Sequence, residues 1–158
     1  MTNKPLINPE LYKKINETMP ITAIDIILVK DGKFLLGKRN NKPVQNKWWL
    51  PGGRILKGEL LKNAVKRKVK EETGYTIKNS RLLTVTELFF PDSVWKTSTH
   101  NIILLYKAEA KQQTATPDKQ HAQLTWFLEI DKRWPKYIRW ALELAGFKYH
   151  EIVSKHLS

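Results

Sequence analysis

The chain has 158 residues, a length that fits one domain able to bury a sizeable core. It carries 28 Lys and Arg against 15 Asp and Glu, and its formal net charge of +13 favours anionic partners. Because the chain has no cysteine, disulfides, thiolate nucleophiles and Cys-based zinc sites are excluded, and any metal must bind oxygen or imidazole ligands.

The first predicted elements are a helix and a hairpin. Asn8-Pro9 predicts a short helix over residues 8–17, since Asn can accept the free amide hydrogens of the first turn and Pro is tolerated there. Strand patterns follow over residues 21–30 and 33–39, and the Asp-Gly pair between them readily adopts the positive φ of a tight hairpin turn. A short apolar strand at residues 48–50 is also predicted.

The second half of the chain predicts two helices and three strands. Apolar residues recur at helical spacing over residues 59–73, and Gly74 is a suitable stop. The other predicted elements are strands at 82–90, 100–110 and 124–130 and a closing helix at 134–145. Several strands with a few helices on their faces predict an α+β sandwich, with a single domain over residues 1–158.

Residues 53–75 contain the longest spaced motif. Two glycines, a Glu, an Arg and a Glu-Glu pair occur at intervals that resemble the Nudix box, G-x5-E-x7-R-E-U-x-E-E-x-G-U with U apolar. The chain departs from that pattern at Lys68, where the family has its second Glu. The resemblance implies a Nudix-type α/β/α sandwich with a mixed sheet and a loop-helix, and hydrolysis that depends on Mg²⁺.

The chemistry of the box also follows from its residues. Positions 68, 71 and 72 lie within one helical turn, so their side chains share a face, and clustered carboxylates there would hold Mg²⁺. The alternative for a Glu-Glu pair on a lysine-rich helix is a solvated face with i, i+4 ion pairs. An ammonium at position 68 opposes a second or third metal ion, so either the enzyme is impaired or its chemistry uses a single ion, which we expect to be Mg²⁺ with Mn²⁺ as a substitute.

A finer resemblance covers roughly residues 20–128. The segments Ile24-Asp25, Phe34 to Pro43, Trp49 to Arg54 and Pro117 to His121 are similar to segments of GDP-mannose mannosyl hydrolases, a Nudix branch whose box also lacks that Glu. The branch implies hydrolysis of GDP-mannose, with GDP-glucose as a second candidate, by C–O cleavage at the anomeric carbon with inversion. It also implies a homodimer.

The same resemblance implies roles for individual residues. It assigns the single Mg²⁺ to the Gly52 carbonyl, Glu72 and Gln120, and it assigns the general base to His121. A histidine is more commonly a surface or core residue, but this one follows a turn-rich loop beside a potential oxygen ligand.

Three further residues are implied to contact the substrate. Arg39 and Arg54 match arginines that stabilise the departing GDP, and Asp25 matches an aspartate at the sugar end. Asn101 stands where the branch has a Tyr. Asp25 also interrupts an apolar strand, and because a buried unpaired carboxylate is costly, we expect a partner or an Arg nearby.

Two other functions are consistent with the sequence. One is a conventional pyrophosphohydrolase that attacks phosphorus of another nucleoside diphosphate derivative or of an RNA end. The other is a weakly catalytic, basic Nudix domain that binds nucleic acid or a protein, although the chain has no arginine-rich tail. Residues 1–8 have no apolar stretch of signal-peptide length, so we expect a cytoplasmic location and no membrane partner.

Overall fold

The computed structural model describes residues 7–91, 93, 96–117 and 121–150, and only the backbone of residues 121 and 122. In chain order its helices and strands are α1 (Pro9–Thr18), β1 (Ile21–Lys30), β2 (Lys33–Arg39), β3 (Trp48–Trp49), β4 (Gly52–Arg54), α2 (Leu61–Thr73), β5 (Tyr75–Phe90), β6 (Thr99–Gln113), β7 (His121–Phe127) and α3 (Lys136–Leu144). No helix in this part of the chain is long and apolar enough to cross a membrane.

The strands form one mixed sheet. The main path runs β3-β2-β1-β6-β5, while β4 pairs with β1 and β7 pairs with β2. The β1–β6 pair is parallel over nine residue pairs, from Ile21 opposite Asn101 to Val29 opposite Glu109, and the other pairs are antiparallel. The long parallel pair places the start of β6 beside the start of β1, so both strands reach the same edge of the molecule.

Each face of the sheet is covered by a helix. Side chains of a strand alternate between faces, and on β1 the residues Ile24, Ile26 and Leu28 pack with Ala64, Val65 and Val69 of α2. Ile27 points to the opposite face, where α3 contributes Ile138, Ala141 and Leu142. The predicted α+β sandwich with a mixed sheet is therefore confirmed, and its two cores lie on the two faces of β1 and β2.

Most elements lie close to their predicted positions. The hairpin strands have the predicted bounds, and Asp31 and Gly32 in its turn have φ values of 50° and 73°. Asn8 caps α1, since its side-chain oxygen accepts a hydrogen bond of 2.8 Å from the Leu11 amide. The sequence interpretation missed β4 and the first half of β5. The Pro-Gly-Gly segment lacks the alternation by which strands are recognised, and the segment after Gly74 is rich in polar residues.

Candidate functional site

A pocket of about 290 Å³ opens at the edge where β1, β4 and β6 meet, beside α1. Four of the residues predicted for the site lie along it, namely Asp25, Arg39, Gly52 and Arg54. Asn101 also lines this pocket, so the position at which the GDP-mannose hydrolase branch has a Tyr faces the same space. The fold therefore brings together Asp25 on β1 and Asn101 on β6, which are 76 positions apart in the sequence.

Asp25 is the buried acid of the pocket. Only 6% of the residue is exposed, and its Oδ2 accepts a hydrogen bond of 2.8 Å from the Tyr137 hydroxyl on α3. Burial raises the pKa of Asp25 to about 7; Tyr137 and Arg39 oppose this rise, whereas the negative charge of Glu72 adds to it. The expected partner is thus a Tyr together with an Arg, and Asp25 changes its charge near neutral pH.

Gly52 lies between the two buried carboxylates. Its amide donates a hydrogen bond of 3.0 Å to Glu72 Oε2, and a Cβ atom at this position would lie 2.5 Å from Asp25 Oδ1. Any side chain here would collide with Asp25 and with the Ile24 carbonyl, which explains why the strand needs glycine.

Glu72 is held by a lysine of its own helix. Glu72 is 2% exposed, and its Oε1 lies 2.8 Å from the Lys68 ammonium. Lys68 also lies 3.4 Å from Glu71 Oε2, so one ammonium contacts both acidic residues of the box pair. Lys68, the residue at which the chain departs from the Nudix box, therefore points toward the two carboxylates. Its side chain is only 6% exposed to solvent.

A second cation fixes the loop that precedes α2. Arg67 donates hydrogen bonds of 2.6 Å and 2.9 Å to the two carboxylate oxygens of Glu59, and one of 3.1 Å to the Arg54 carbonyl. Glu59 in turn accepts a hydrogen bond from the Leu56 amide. These bonds tie residues 54–59 to α2, so Glu59 and Arg67 hold the loop against the helix.

The two predicted arginines have different surroundings. Arg39 donates from Nε to the Pro43 carbonyl at 3.0 Å, and burial lowers its pKa while Glu72 and Asp25 raise it. The guanidinium of Arg54 lies over the Tyr12 ring, 5.4 Å from the ring centroid. Arg39 is therefore fixed near the buried acids, whereas Arg54 lies at the mouth of the pocket with α1.

The predicted base and the third predicted metal ligand lie at the edge of what the structure describes. The backbone of His121 begins β7 and pairs with Arg39 on the neighbouring strand β2. The register of this strand pair is irregular between Lys38 and Arg39. Gln120 lies outside the described residues. The start of β7 is therefore next to an arginine of the pocket.

The described residues contain few of the groups that hold metals. Among residues 7–91, 93, 96–117 and 121–150, no three His, Asp or Glu side chains are arranged to hold a metal ion. Glu72 nevertheless supplies hard carboxylate oxygens, which are ligands that Mg²⁺ accepts. This donor set fits one ion better than several.

Sequence reasoning missed two aromatic residues of the site. Tyr137 bonds to Asp25 across 112 positions of sequence, and Tyr12 lines the pocket from α1. Tyr137 was included only in a closing helix, and the helical spacing gave no signal that this side chain would reach a carboxylate. The expected partner for Asp25 was the available clue, but it does not specify which residue provides it.

Comparison with known proteins defines the class of the chain. Residues 19–137 match the NUDIX domain family, so the chain belongs to the Nudix hydrolases. Enzymes of this family generally use a divalent metal such as Mg²⁺ and act on small nucleotide derivatives. The predicted Nudix fold is thereby confirmed, since the chain is also similar to the crystal structure of a MutT NUDIX hydrolase from Burkholderia pseudomallei. That structure is 27% identical with a TM-score of 0.68, and the match covers 80% of this chain and 98% of the other.

Two sequence relatives have different named activities. The low-salt glycan biosynthesis protein Agl8 of Haloferax volcanii is 29% identical over 118 residues, which are 73% of this chain and 76% of Agl8. The ADP-ribose pyrophosphatase of Methanocaldococcus jannaschii is 47% identical over 66 residues, which are 42% of this chain and 39% of that protein. Family membership alone therefore does not identify the substrate, which has to be inferred from the residues of the site.

Proposed function

We propose that this Nudix hydrolase cleaves GDP-mannose to GDP and mannose by attack of water at the anomeric carbon. The observation that carries the proposal is the ammonium of Lys68, 2.8 Å from Glu72 on the box helix. Attack on phosphorus needs concentrated positive charge of metal ions around that phosphorus, and this ammonium replaces one of the carboxylates that would hold them. Attack at carbon needs only that the departing diphosphate be stabilised.

Departure of GDP is the step for which the pocket is well equipped. Arg39 and Arg54 line it, and their guanidinium groups bind diphosphate oxygens in the fork geometry that suits phosphate. A terminal phosphate oxygen has a pKa of about 6, so GDP leaves near neutral pH without a proton donor. Both arginines therefore act on the leaving group, and the reaction requires no general acid.

Asp25 is proposed to bind the sugar end. With a pKa of about 7 its carboxyl group is part protonated at neutral pH, so it both accepts and donates hydrogen bonds with sugar hydroxyls. The Tyr137 hydroxyl donates to Oδ2 and leaves Oδ1 on the Gly52 side. The fixed carboxyl group orients the ring so that C1 meets the attacking water.

The base is proposed to be His121, a role that comes from the resemblance to GDP-mannose hydrolases. An imidazole with a pKa of about 6.5 is largely neutral at pH 7 and can take a proton from water. The water oxygen bonds to C1, the C1–O bond breaks, and its electron pair stays on the β-phosphate oxygen of GDP. The water proton goes to the imidazole, so atoms and charge balance.

One Mg²⁺ is proposed to bind at Gly52, Glu72 and Gln120. The Glu72 carboxylate has about four lone-pair positions, and its contacts with Lys68 and the Gly52 amide leave room for one hard ion. When bound, Mg²⁺ supplies positive charge to the diphosphate. Lys68 and the Gly52 amide fix the position of the Glu72 carboxylate.

The relatives support two different substrates. Agl8 is named for glycan biosynthesis, a process that uses activated sugars, and the match covers most of both chains. The ADP-ribose pyrophosphatase is more identical, but over less than half of either chain. ADP-ribose hydrolysis by attack at phosphorus is therefore the second candidate, and we expect ADP-ribose to be a poor substrate.

The test is a turnover panel in ¹⁸O-labelled water with Mg²⁺, containing GDP-mannose, GDP-glucose and ADP-ribose. We expect the label in the sugar, unlabelled GDP, and β-mannose as the first product of an α-linked substrate. Label in the phosphate, or faster release of AMP from ADP-ribose than of GDP from GDP-mannose, would show that the pyrophosphohydrolase is the correct alternative.

Two variants separate the metal ligand from the base. Glu72→Gln should lower both Mg²⁺ affinity and turnover, whereas His121→Ala should lower turnover by about 10²–10⁴-fold with metal binding little changed. His150→Ala is the matched control, since His150 is 69% exposed and pairs with Glu129 at the surface. Unchanged turnover in His121→Ala would remove that residue from the mechanism.

A further inference from the structure

Lys68 differs from the other lysines of its helix in being enclosed. Its side chain is 6% exposed and that of Glu72 is 2% exposed. By contrast, Lys13 and Glu17 on α1 form a pair with 52% and 44% exposed side chains at 3.7 Å. Water screens the pair on α1 but is largely excluded from the pair on α2, so the Lys68–Glu72 attraction is much stronger.

Strand β4 closes over the Lys68 side chain. Gly53 has a φ of 151°, and a Cβ atom there would lie 2.8 Å from Lys68 Cε and 3.2 Å from its Nζ. The backbone of Gly53 therefore runs directly against the end of the lysine chain. Because the β4 backbone lies against the stem, and Glu71 and Glu72 contact the ammonium at 3.4 Å and 2.8 Å, the cation has one defined position.

We propose that Lys68 is a built-in cation that neutralises Glu72 in the absence of metal and competes with a divalent ion for that carboxylate. A buried carboxylate without a counter-charge is costly, so a box with Glu in place of Lys68 would rely on metal ions to be neutral. In this chain the Lys68 ammonium neutralises the Glu72 carboxylate whether or not metal is bound. The site is thus assembled without metal and has a reduced affinity for it.

This inference rests on the proposed metal site but not on the identity of the substrate. A positive charge about 5 Å from a divalent ion lowers its affinity at least about tenfold, even with the dielectric constant of water. Removing the ammonium should therefore tighten metal binding by about tenfold or more, although the side chain itself donates nothing to the ion. A lysine with a merely structural role would show no such gain.

The experiment is a Mn²⁺ titration of the full chain by electron paramagnetic resonance, with Lys68→Met and Lys68→Gln as test variants. Lys66→Met is the matched control, since it makes the same charge change on the same helix at an exposed position. We expect about tenfold or tighter Mn²⁺ binding in both test variants and a change of less than about twofold in the control. Adding Glu72→Gln to either Lys68 variant should abolish its tighter Mn²⁺ binding, which would show that the ion binds at Glu72.

Thermal unfolding supplies the second readout. In EDTA the Lys68 variants should melt at a lower temperature than the wild type, and Mn²⁺ should raise their melting temperature more than that of the wild type. Equal Mn²⁺ affinity in wild type and variants overturns the inference, as does failure of both variants to fold at every Mn²⁺ concentration. Tighter binding without any GDP-mannose turnover would uphold the inference and reject the proposed substrate.

Discussion

The buried carboxyl group of Asp25 makes the stability of this protein depend on pH in an unusual direction. Replacing Asp25 with Asn keeps the shape of the side chain and an oxygen that accepts the Tyr137 hydroxyl bond, but it removes the charge. Paired carboxylates usually stabilise a protein as pH rises. Here burial raises the pKa of the folded state to about 7 from an ordinary 3.8, so the sign is reversed.

The magnitude follows from these two pKa values. Between pH 3.8 and 7 the unfolded chain loses its proton from Asp25 while the folded chain keeps it, so stability falls as pH rises through this window. Each pH unit in the middle of the window costs about 1.4 kcal/mol. From pH 5 to pH 8 the wild type should lose about 2–3 kcal/mol that Asp25→Asn does not lose.

The assay is urea unfolding of both proteins at intervals from pH 5 to pH 8. The difference between their free energies of unfolding cancels all other titrating groups that the two proteins share. Relative to Asp25→Asn, the wild type should become steadily less stable up to pH 7 and then level off. Parallel curves, or a wild type that gains stability relative to the variant, would refute the assignment of Asp25 as a buried acid with a raised pKa.

Three further substitutions test individual contacts. Arg67→Ala should lower the free energy of unfolding by about 2–4 kcal/mol because it breaks a largely buried ion pair, whereas Arg133→Ala, at an 88% exposed side chain, should have a much smaller effect in the same urea assay. Tyr137→Phe should cost about 1–3 kcal/mol, and more at pH 8 than at pH 5, since the ionised Asp25 then loses its donor; an effect independent of pH would contradict this. Gly53→Ala should lower the melting temperature, because residues with a Cβ rarely adopt its φ of 151° and the new Cβ would meet Lys68 Cε at 2.8 Å; unchanged melting would show that β4 and the Lys68 side chain yield freely.

The parts of the fold that the sequence predicted well are those with a strong local signal. The Asp31-Gly32 turn defines a hairpin because both residues adopt a positive φ, and the apolar spacing of α2 defines its buried face. The strand β4 carries no such signal. It is a strand because its backbone pairs with β1, opposite Asp25 and its neighbours, and a pairing between distant segments is not encoded in a short stretch of glycines.

In the candidate site, too, the residues with a local sequence signal were predicted, and those that depend on tertiary packing were not. The box spacing predicted that Glu72 and Lys68 share a face, and the structure has them in contact. Asp25, Arg39 and Arg54 lie along one pocket, although their roles in catalysis remain predictions. Tyr137 was not predicted because its contact with Asp25 depends on how α3 crosses the sheet, and no single segment of sequence contains that geometry.

The charges around the pocket connect the metal site with the bond that is proposed to break. Once Asp25 is ionised, it and Glu72 bring two negative charges, and Lys68 and Arg39 bring two positive charges, so these four groups balance above pH 7 before substrate or metal arrives. A nucleotide diphosphate adds about two negative charges, which one divalent ion alone would offset. A cluster of ions would leave excess positive charge beside a balanced site. The arrangement therefore suits a reaction in which charge accumulates on a departing diphosphate, and it suits poorly one in which several ions surround the phosphorus under attack.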